Sequence, residues 1–254
     1  MLIVETREGG EGDLWLYDLE RGAQTRFAFG AGRQMEPAWS PDGRLVAYRE
    51  LGQDAIMLKP ADGAEAPRLA ARGWLPRFTP DGRHLVYGKR GSGSEDVWTA
   101  AVDAPGDTVE TFATPASEDF PVPAPQGTHL LYTSDESGRN EVYLRQYPTG
   151  PGRWQVSASN GGRPQWSRGG DRIYYMMGEE ILEVPVTLSP TVRLGTPVVR
   201  FHLGTLRMQT WGRHNFLPTS RPDRFVMLKP LQGAAPATAD VVLVENWRAE
   251  FAKK

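Results

Sequence analysis

The sequence predicts an all-β protein, a six-bladed β-propeller of four-stranded antiparallel blades whose first blade is incomplete at its N-terminal side. Three observations lead to this prediction. A strand–turn–strand hairpin recurs roughly every 40 to 50 residues, which is the period of propeller blades. An acidic residue followed by an apolar run recurs out of phase with the hairpin, and 28 glycines and 21 prolines provide many turns.

The hairpin is clearest in EPAWSPDGRLVAYRE (residues 36–50) and LPRFTPDGRHLVYGK (75–89). Pro presets φ at an early turn position, Asp accepts hydrogen bonds from the amides beyond it, and Gly accepts the positive φ that closes the turn. Further copies are PAPQGTHLLY (123–132), WSRGGDRIYY (166–175) and PTSRPDRFVM (218–227). Four copies end on a tyrosine: Tyr48, Tyr87, Tyr132 and Tyr175. We interpret each hairpin as the first two strands of a blade, the second lying buried between neighbouring blades.

The second repeat supplies the third strand of each blade. Its leading acids are Asp13, Asp54, Asp96, Glu141, Glu180 and Asp240. We expect them to bond turn amides and to protect strand edges. The predicted blades are residues 1–30, 31–71, 72–114, 115–158, 159–203 and 204–254, in one domain of residues 1–254. Because six third strands accompany five hairpins, we expect the first blade to lack its inner strand in this sequence, unless a strand from elsewhere closes the ring. Five blades with a remnant is the alternative.

Composition excludes several classes of protein. A net charge of -2, from 29 basic and 31 acidic side chains, offers no electrostatic footprint for nucleic acid or an anionic membrane. The absence of cysteine excludes disulfides, thiolate zinc sites and thiol nucleophiles. No apolar run approaches the length of a membrane span, and the opening MLIVETREGG lacks the pattern of a signal peptide. We therefore expect no nucleic-acid partner and no membrane span in this chain.

The PDGR hairpins resemble the TolB-type (PD40, WD40-like) propeller repeats. The stretches ESGRNEVYLRQYPTGPGRWQVS and GGRPQWSRGGDRIYYMMGEEILEVPV, and the ending VVLVENWRAEF, are similar to the C-terminal propeller fused to bacterial membrane-anchored serine/threonine kinases. This resemblance implies an extracytoplasmic, periplasmic, sensor-like module that binds a protein, peptide or envelope ligand. It also implies a longer kinase-linked polypeptide, although this sequence contains no kinase motif. We expect the chain to be a monomer.

The most irregular stretch, residues 187–216, is the predicted ligand-binding region. Loops placed by a rigid scaffold concentrate binding residues, and Trp or Met beside Arg suits a peptide or an acidic ligand. The predicted ligand-binding residues are Arg207, Met208, Trp211, Arg213 and His214. The alternative is that VVRFHL in this stretch is simply an outer strand and that Trp211 caps the next blade.

Catalytic chemistry has little support in the sequence. No Gly-x-Ser-x-Gly elbow occurs, and no histidines are closely paired. The preferred hypothesis is therefore a non-catalytic binding module without a cofactor. His84 and His129 occupy the same register after the turn in adjacent blades. In the competing hypothesis they hold a metal in a propeller-type enzyme, a metal-assisted lyase or hydrolase, or else a glycosidase, with its site at the central channel.

Overall fold

A computed structural model describes residues 1–8, 11–30, 32–91, 93–112, 114–203, 216–219, 221, 224–230 and 239–244. These residues form six antiparallel sheets, and their single helical element is a 3₁₀ turn at Leu51–Gln53. The all-β architecture of four-stranded sheets is the one predicted and is typical of a β-propeller. The number of blades and the blade boundaries stay predictions. The chain divides into two compact units, built mainly from Met1–Thr114 and Pro115–Pro230, which we call the first and second units.

The first unit contains three sheets, each a meander of neighbouring strands. The first sheet consists of β1 (Leu2–Glu8), β2 (Glu11–Asp18) and β3 (Ala23–Ala28). The second consists of β4 (Gln34–Trp39), β5 (Leu45–Glu50), β6 (Ala55–Pro60) and β7 (Arg68–Arg72). The third consists of β8 (Trp74–Phe78), β9 (His84–Arg90), β10 (Glu95–Ala101) and β11 (Thr108–Phe112). Among the described residues, the first sheet has three strands.

The second unit contains the other three sheets. The fourth sheet consists of β12 (Glu118–Pro123), β13 (His129–Ser134), β14 (Glu141–Gln146) and β15 (Arg153–Gln155). The fifth consists of β16 (Gly162–Trp166), β17 (Arg172–Met177), β18 (Glu180–Thr187), β19 (Arg193–Leu194) and β20 (Val198–His202), the last two both pairing with β18. The sixth consists of β21 (Phe216–Pro218), β22 (Phe225–Pro230) and β23 (Ala239–Val244).

The predicted turn chemistry is present in the hairpins. Between β4 and β5, the Ser40 amide donates to the Leu45 carbonyl at 2.9 Å and the Gly43 amide to the Ser40 carbonyl at 2.9 Å. The Ser40 hydroxyl donates to Asp42 Oδ1 at 2.6 Å, and Asp42 Oδ1 accepts from the Arg44 amide at 3.0 Å. The same side-chain contacts recur at Thr79 and Asp81. Each turn is therefore fixed by its own residues.

The hairpin tyrosines are core residues in equivalent environments. Tyr48, Tyr87, Tyr132 and Tyr175 are 3%, 0%, 2% and 2% exposed. Burial raises the pKa of Tyr48, Tyr87 and Tyr132 to about 12. In the second unit, Trp166 of β16 donates from Nε1 to the Val122 carbonyl of β12 at 3.1 Å. This tryptophan thus joins two neighbouring sheets of the second unit.

The acids that lead the third strands have varied partners. Glu141 is fully buried and accepts from Ser157 Oγ at 2.5 Å, Arg139 Nε at 2.7 Å and the Asn160 amide at 3.0 Å. Burial raises the pKa of Glu141, but these hydrogen bonds outweigh it and leave the pKa below its usual value. Asp13 instead pairs with Arg26 Nη2 at 2.5 Å. The expected bonding to turn amides is therefore found at Glu141, whereas Asp13 forms an ion pair.

Candidate functional site at the inner-strand bulges

The first strand of a propeller blade lies beside the central channel, so we call β4, β8, β12 and β16 the inner strands. Each contains a bulge at the same place. The residue before a proline has positive φ: Glu36 (56°), Leu75 (52°), Phe120 (56°) and Arg163 (53°). At each of these places the inner strand advances by one residue more than its partner strand. Four sheets thus repeat one backbone irregularity.

A residue with a side chain rarely adopts this conformation. The left-handed region costs a non-glycine residue about 1–2 kcal/mol, and a following proline favours extended backbone instead. Proline has no N–H, so at the bulge it leaves no amide without a partner. Bulges of this kind redirect a side chain and are common beside functional sites.

In the first unit the bulge is closed by a buried carboxylate. Glu36 is 4% exposed, and its Oε2 accepts a hydrogen bond from the Leu75 amide in the next inner strand at 2.7 Å. Its Oε1 lies 3.6 Å from Nη1 of Arg49. Arg49 also donates to Asp54, and its guanidinium carbon lies 5.8 Å from the centre of the Trp74 ring. The carboxylate therefore joins the second and third sheets.

Arg77 lies on the same inner strand as Leu75 and is half-buried. Burial lowers the pKa of its guanidinium to about 10, and the Glu36 carboxylate raises it in part. The group remains cationic at neutral pH. An arginine in a partly enclosed position is a strong electrostatic feature of an inner strand, because its charge is only partly screened by water.

In the second unit the equivalent bulge residues are an aromatic–cation pair. The guanidinium carbon of Arg163 lies 5.9 Å from the centre of the Phe120 ring. Both residues are half-buried, whereas Glu36 and Leu75 are 4% and 1% exposed. The same backbone feature therefore presents side chains to solvent in the second unit and encloses them in the first.

The five residues predicted to bind ligand, Arg207, Met208, Trp211, Arg213 and His214, lie outside the described residues. Within that stretch the structure describes β19 and β20, and Val198–His202 of the VVRFHL segment is a strand that pairs with β18. Trp211, the other part of the alternative, lies outside the described residues. Arg200, in β20, lies with Nε 2.7 Å from Oε2 of the buried Glu183. The five binding residues stay a prediction.

His84 and His129 occupy the first positions of β9 and β13, but their environments differ. His84 is exposed, while His129 is 6% exposed and lies with Nδ1 3.0 Å from Thr128 Oγ1. Burial lowers the pKa of His129. Among the described residues, no group of three or more His, Cys, Asp or Glu side chains is arranged to hold a metal ion. The metal site stays a prediction of the competing hypothesis.

Sequence reasoning missed the bulges, although a signal for them exists. Pro37, Pro76, Pro121 and Pro164 each stand three residues before the residue that opens the turn. A proline repeated at one position of an inner strand indicates an interruption of strand pairing, because proline cannot donate to the ladder. In the fifth hairpin the equivalent position, three residues before Thr219, is Phe216, and β21 and β22 pair without a shift in register. The proline is therefore present in the four strands with a bulge and is replaced in the strand that pairs regularly.

The repeated sheets and inner strands define a β-propeller, and comparison with known proteins identifies its family. Residues 1–170 match the family model of the TolB beta propeller domain, PD40. The chain therefore belongs to the TolB-type β-propeller family.

Individual relatives and solved structures are similar over parts of their length. The chain is 28% identical over 147 residues to the uncharacterized protein Atu1656 of Agrobacterium fabrum, covering 54% of this chain and 48% of that protein. Among solved structures, it resembles TolB from Acinetobacter baumannii with a TM-score of 0.66 and 15% identity, over 91% of this chain and 57% of that one. An oligogalacturonate lyase in complex with manganese gives a TM-score of 0.66 at 12% identity, over 96% of this chain and 86% of that one. These structural likenesses concern the fold alone.

Among the described residues, no helix is long and apolar enough to cross a membrane.

Proposed function

We propose that this chain is a non-catalytic binding module, a TolB-like propeller that recognises a protein, a peptide or another envelope ligand through its inner-strand bulges. One observation carries the proposal. Four inner strands keep the same strained backbone, while the residues held there are as different as Glu36, Leu75, Phe120 and Arg163. A fixed backbone with varied side chains suits recognition of an irregular surface, and aromatic and arginine side chains are the usual anchors of such surfaces.

The setting we propose follows from the family. A TolB-like module of this kind would act outside the cytoplasm, in the periplasm, as a monomer that meets its partner at the inner strands. The similarity to kinase-fused propellers leads us to propose further that such a module senses its ligand as part of a longer, kinase-linked polypeptide.

A photo-crosslinking experiment tests the binding function. A photoreactive phenylalanine analogue replaces Phe120 at an inner strand in one variant and Val109 in another; Val109 is 63% exposed on the outer strand β11. Illumination in an extract of the source organism should give adducts from position 120 that unlabelled chain competes away, and few from position 109. Adducts that are equal at the two positions, or confined to position 109, would contradict binding through the inner strands.

A propeller-type enzyme is the second candidate, and one observation favours it. Nε2 of the buried His129 has no hydrogen-bond partner among the described residues, as a nitrogen reserved for a ligand would. This enzyme would be a metal-assisted lyase or hydrolase using His84 and His129, or a glycosidase. Elemental analysis of the purified chain tests the metal form: one bound metal per chain, lost in the H84A/H129A double variant, would favour the enzyme over the binding module.

A further inference from the structure

We propose that a pocket at Trp39 binds an extended peptide segment, which offers a backbone carbonyl to the indole N–H and a basic side chain to Asp62. The pocket has a volume of about 500 Å³ and is lined by Met1, Trp39, Gly43, Ala61 and Asp62. All five residues belong to the first unit. The inference goes beyond the proposed function, because Trp39 is the last residue of β4 and is not part of a bulge.

Trp39 is less covered than its counterparts in other sheets. Phe78 ends β8 and Trp166 ends β16 at the same position before the turn, and they are 9% and 7% exposed. Trp39 is half-buried, although it packs against the core that the first and second sheets share. Part of the indole surface is therefore accessible to a ligand.

The indole N–H of Trp39 also lacks the acceptor that its counterpart has. In the second unit, Trp166 Nε1 donates to the Val122 carbonyl of the preceding inner strand at 3.1 Å. In the described part of the chain, Trp39 Nε1 makes no hydrogen bond, and β1 pairs with β2 alone. A partly buried indole N–H usually has an acceptor. A carbonyl of the ligand can therefore take the place that Val122 has at Trp166.

An acid at the same pocket determines the charge of the ligand. Asp62 is exposed, and its Oδ1 accepts a hydrogen bond from the Ala64 amide at 3.0 Å. It forms no ion pair with any residue that the structure describes. Lys59, three residues earlier, donates instead to the Phe27 carbonyl at 2.6 Å. Because interfaces match opposite charges, the segment that fits carries Lys or Arg.

The space beside these two groups admits a peptide backbone. A Cβ built on Gly43 would meet no atom within 4 Å, and Met1 and Ala61 supply apolar surface at the same pocket. Pockets of this size with a few polar groups are typical of ligand sites. An extended segment is bound by main-chain hydrogen bonds and selected by its side chains. One carbonyl can thus accept from Trp39 while a side chain reaches Asp62.

The experiment selects random heptapeptides on the immobilised full chain after depletion on the W39A variant. Enriched peptides are synthesised with blocked ends and titrated calorimetrically against the wild-type chain, W39F, D62N and A61F. W39F keeps an aromatic ring but removes the N–H, and A61F fills the pocket. Thermal melting checks that each variant is folded, and A61F replaces W39A in the depletion step if W39A does not melt cooperatively.

Two control variants are matched to the tested residues. W98F changes a half-buried tryptophan of β10 in the third sheet. D103N changes the residue that corresponds to Asp62 in the third sheet. The correspondence follows from the backbone, since the amide before each acid donates to an equivalent carbonyl: Ala61 to Arg44 at 2.8 Å and Val102 to Arg83 at 2.9 Å.

We expect enriched peptides that contain Lys or Arg. W39F should weaken their binding about threefold to tenfold, in line with loss of one hydrogen bond, and D62N about twofold to fivefold. A61F should abolish binding, while W98F and D103N should change it less than about twofold. Replacing the peptide's basic residue by norleucine should weaken binding to the wild-type chain as much as D62N does, and should weaken binding to D62N no further.

Three results would overturn the pocket. They are a selection that enriches no peptide after depletion, peptides that bind the wild-type chain and W39F equally, and enrichment of acidic peptides. Each of them leaves the binding function at the bulges standing, because that function is tested separately by crosslinking at position 120. Equal adducts at positions 120 and 109, with peptides that still require Trp39 and Asp62, would instead overturn the proposed function and retain the pocket.

Discussion

The bulges of the two units have the same backbone conformation, but their side chains make different contacts. In the first unit, the Glu36 carboxylate accepts the Leu75 amide at 2.7 Å and both residues are buried. In the second unit, the guanidinium carbon of Arg163 lies 5.9 Å from the centre of the Phe120 ring, and both residues are half-buried. An internal carboxylate–amide bond closes the first bulge, whereas the side chains at the second bulge are partly exposed.

This difference shows that a backbone feature that recurs in several sheets need not have the same role in each of them. A buried carboxylate requires partners, and Glu36 has them in the Leu75 amide and Arg49. These contacts stabilise the junction of two sheets. An arginine beside a ring stays partly hydrated, so its contribution to folding is small. The first bulge is therefore expected to matter for stability and the second for binding.

The largest expected effect is that of Glu36→Ala on the first unit. The Leu75 amide would lose its acceptor, and Arg49 would lose one of its two carboxylates in a buried place. Removing one partner of a buried pair costs about 3–5 kcal/mol, and we expect a loss of about 3 kcal/mol in the free energy of unfolding. Urea denaturation followed by near-ultraviolet circular dichroism measures it.

The control for Glu36→Ala is a substitution of Asp54, the second carboxylate that pairs with Arg49. Asp54 also accepts from Arg49, but its side chain is 56% exposed, so Asp54→Asn should cost less than about 1 kcal/mol. Comparable losses for the two variants would show that the burial of Glu36 is not what stabilises the junction, and the contrast between the bulges would lose its physical basis.

The fold was predictable because its determinants are local. The Pro-Asp-Gly turn is stabilised by side chains two to five residues apart, such as Ser40, Asp42 and Leu45, so the sequence contains the whole turn. Strand alternation and the buried tyrosines follow from the same repeat. The third strands were predicted for a similar reason, although the partner of each leading acid was not, because Arg26 and Ser157 come from other strands and loops.

The candidate site was less predictable, because it depends on neighbours that are distant in sequence. Sequence reasoning placed the binding residues in the stretch 187–216, where irregularity is obvious, and overlooked a regular proline in the inner strands. Even if that proline had been recognised, the sequence would not have shown that the Glu36 side chain is buried whereas the Arg163 side chain is half-buried. The exposure of a bulge residue depends on its contacts with the next sheet, which lies about 40 residues further along the chain.

A smaller effect on the free energy of unfolding is expected from glycine substitutions at two equivalent bulge positions. Leu75→Gly relieves the left-handed strain but removes a side chain that is 1% exposed; we expect a net loss of about 2 kcal/mol. Arg163→Gly relieves the same strain and removes a side chain that is only half-buried, so the free energy of unfolding should change by less than about 1 kcal/mol. Both are measured by urea denaturation. A larger loss at Arg163 than at Leu75 would reverse the roles assigned to the two bulges.

The smallest effect concerns His129, the first residue of β13. Burial lowers the pKa of His129 in the folded chain, so the unfolded chain binds a proton more readily, near the ordinary pKa of about 6.5. The stability that depends on neutral His129 is therefore fully present above about pH 6.5 and is lost as the pH falls through that value toward the folded pKa. His129→Gln should therefore flatten the fall in urea midpoint between about pH 7.5 and pH 5. An equally steep fall in the variant would mean that burial of His129 does not contribute to the pH dependence of stability in this range.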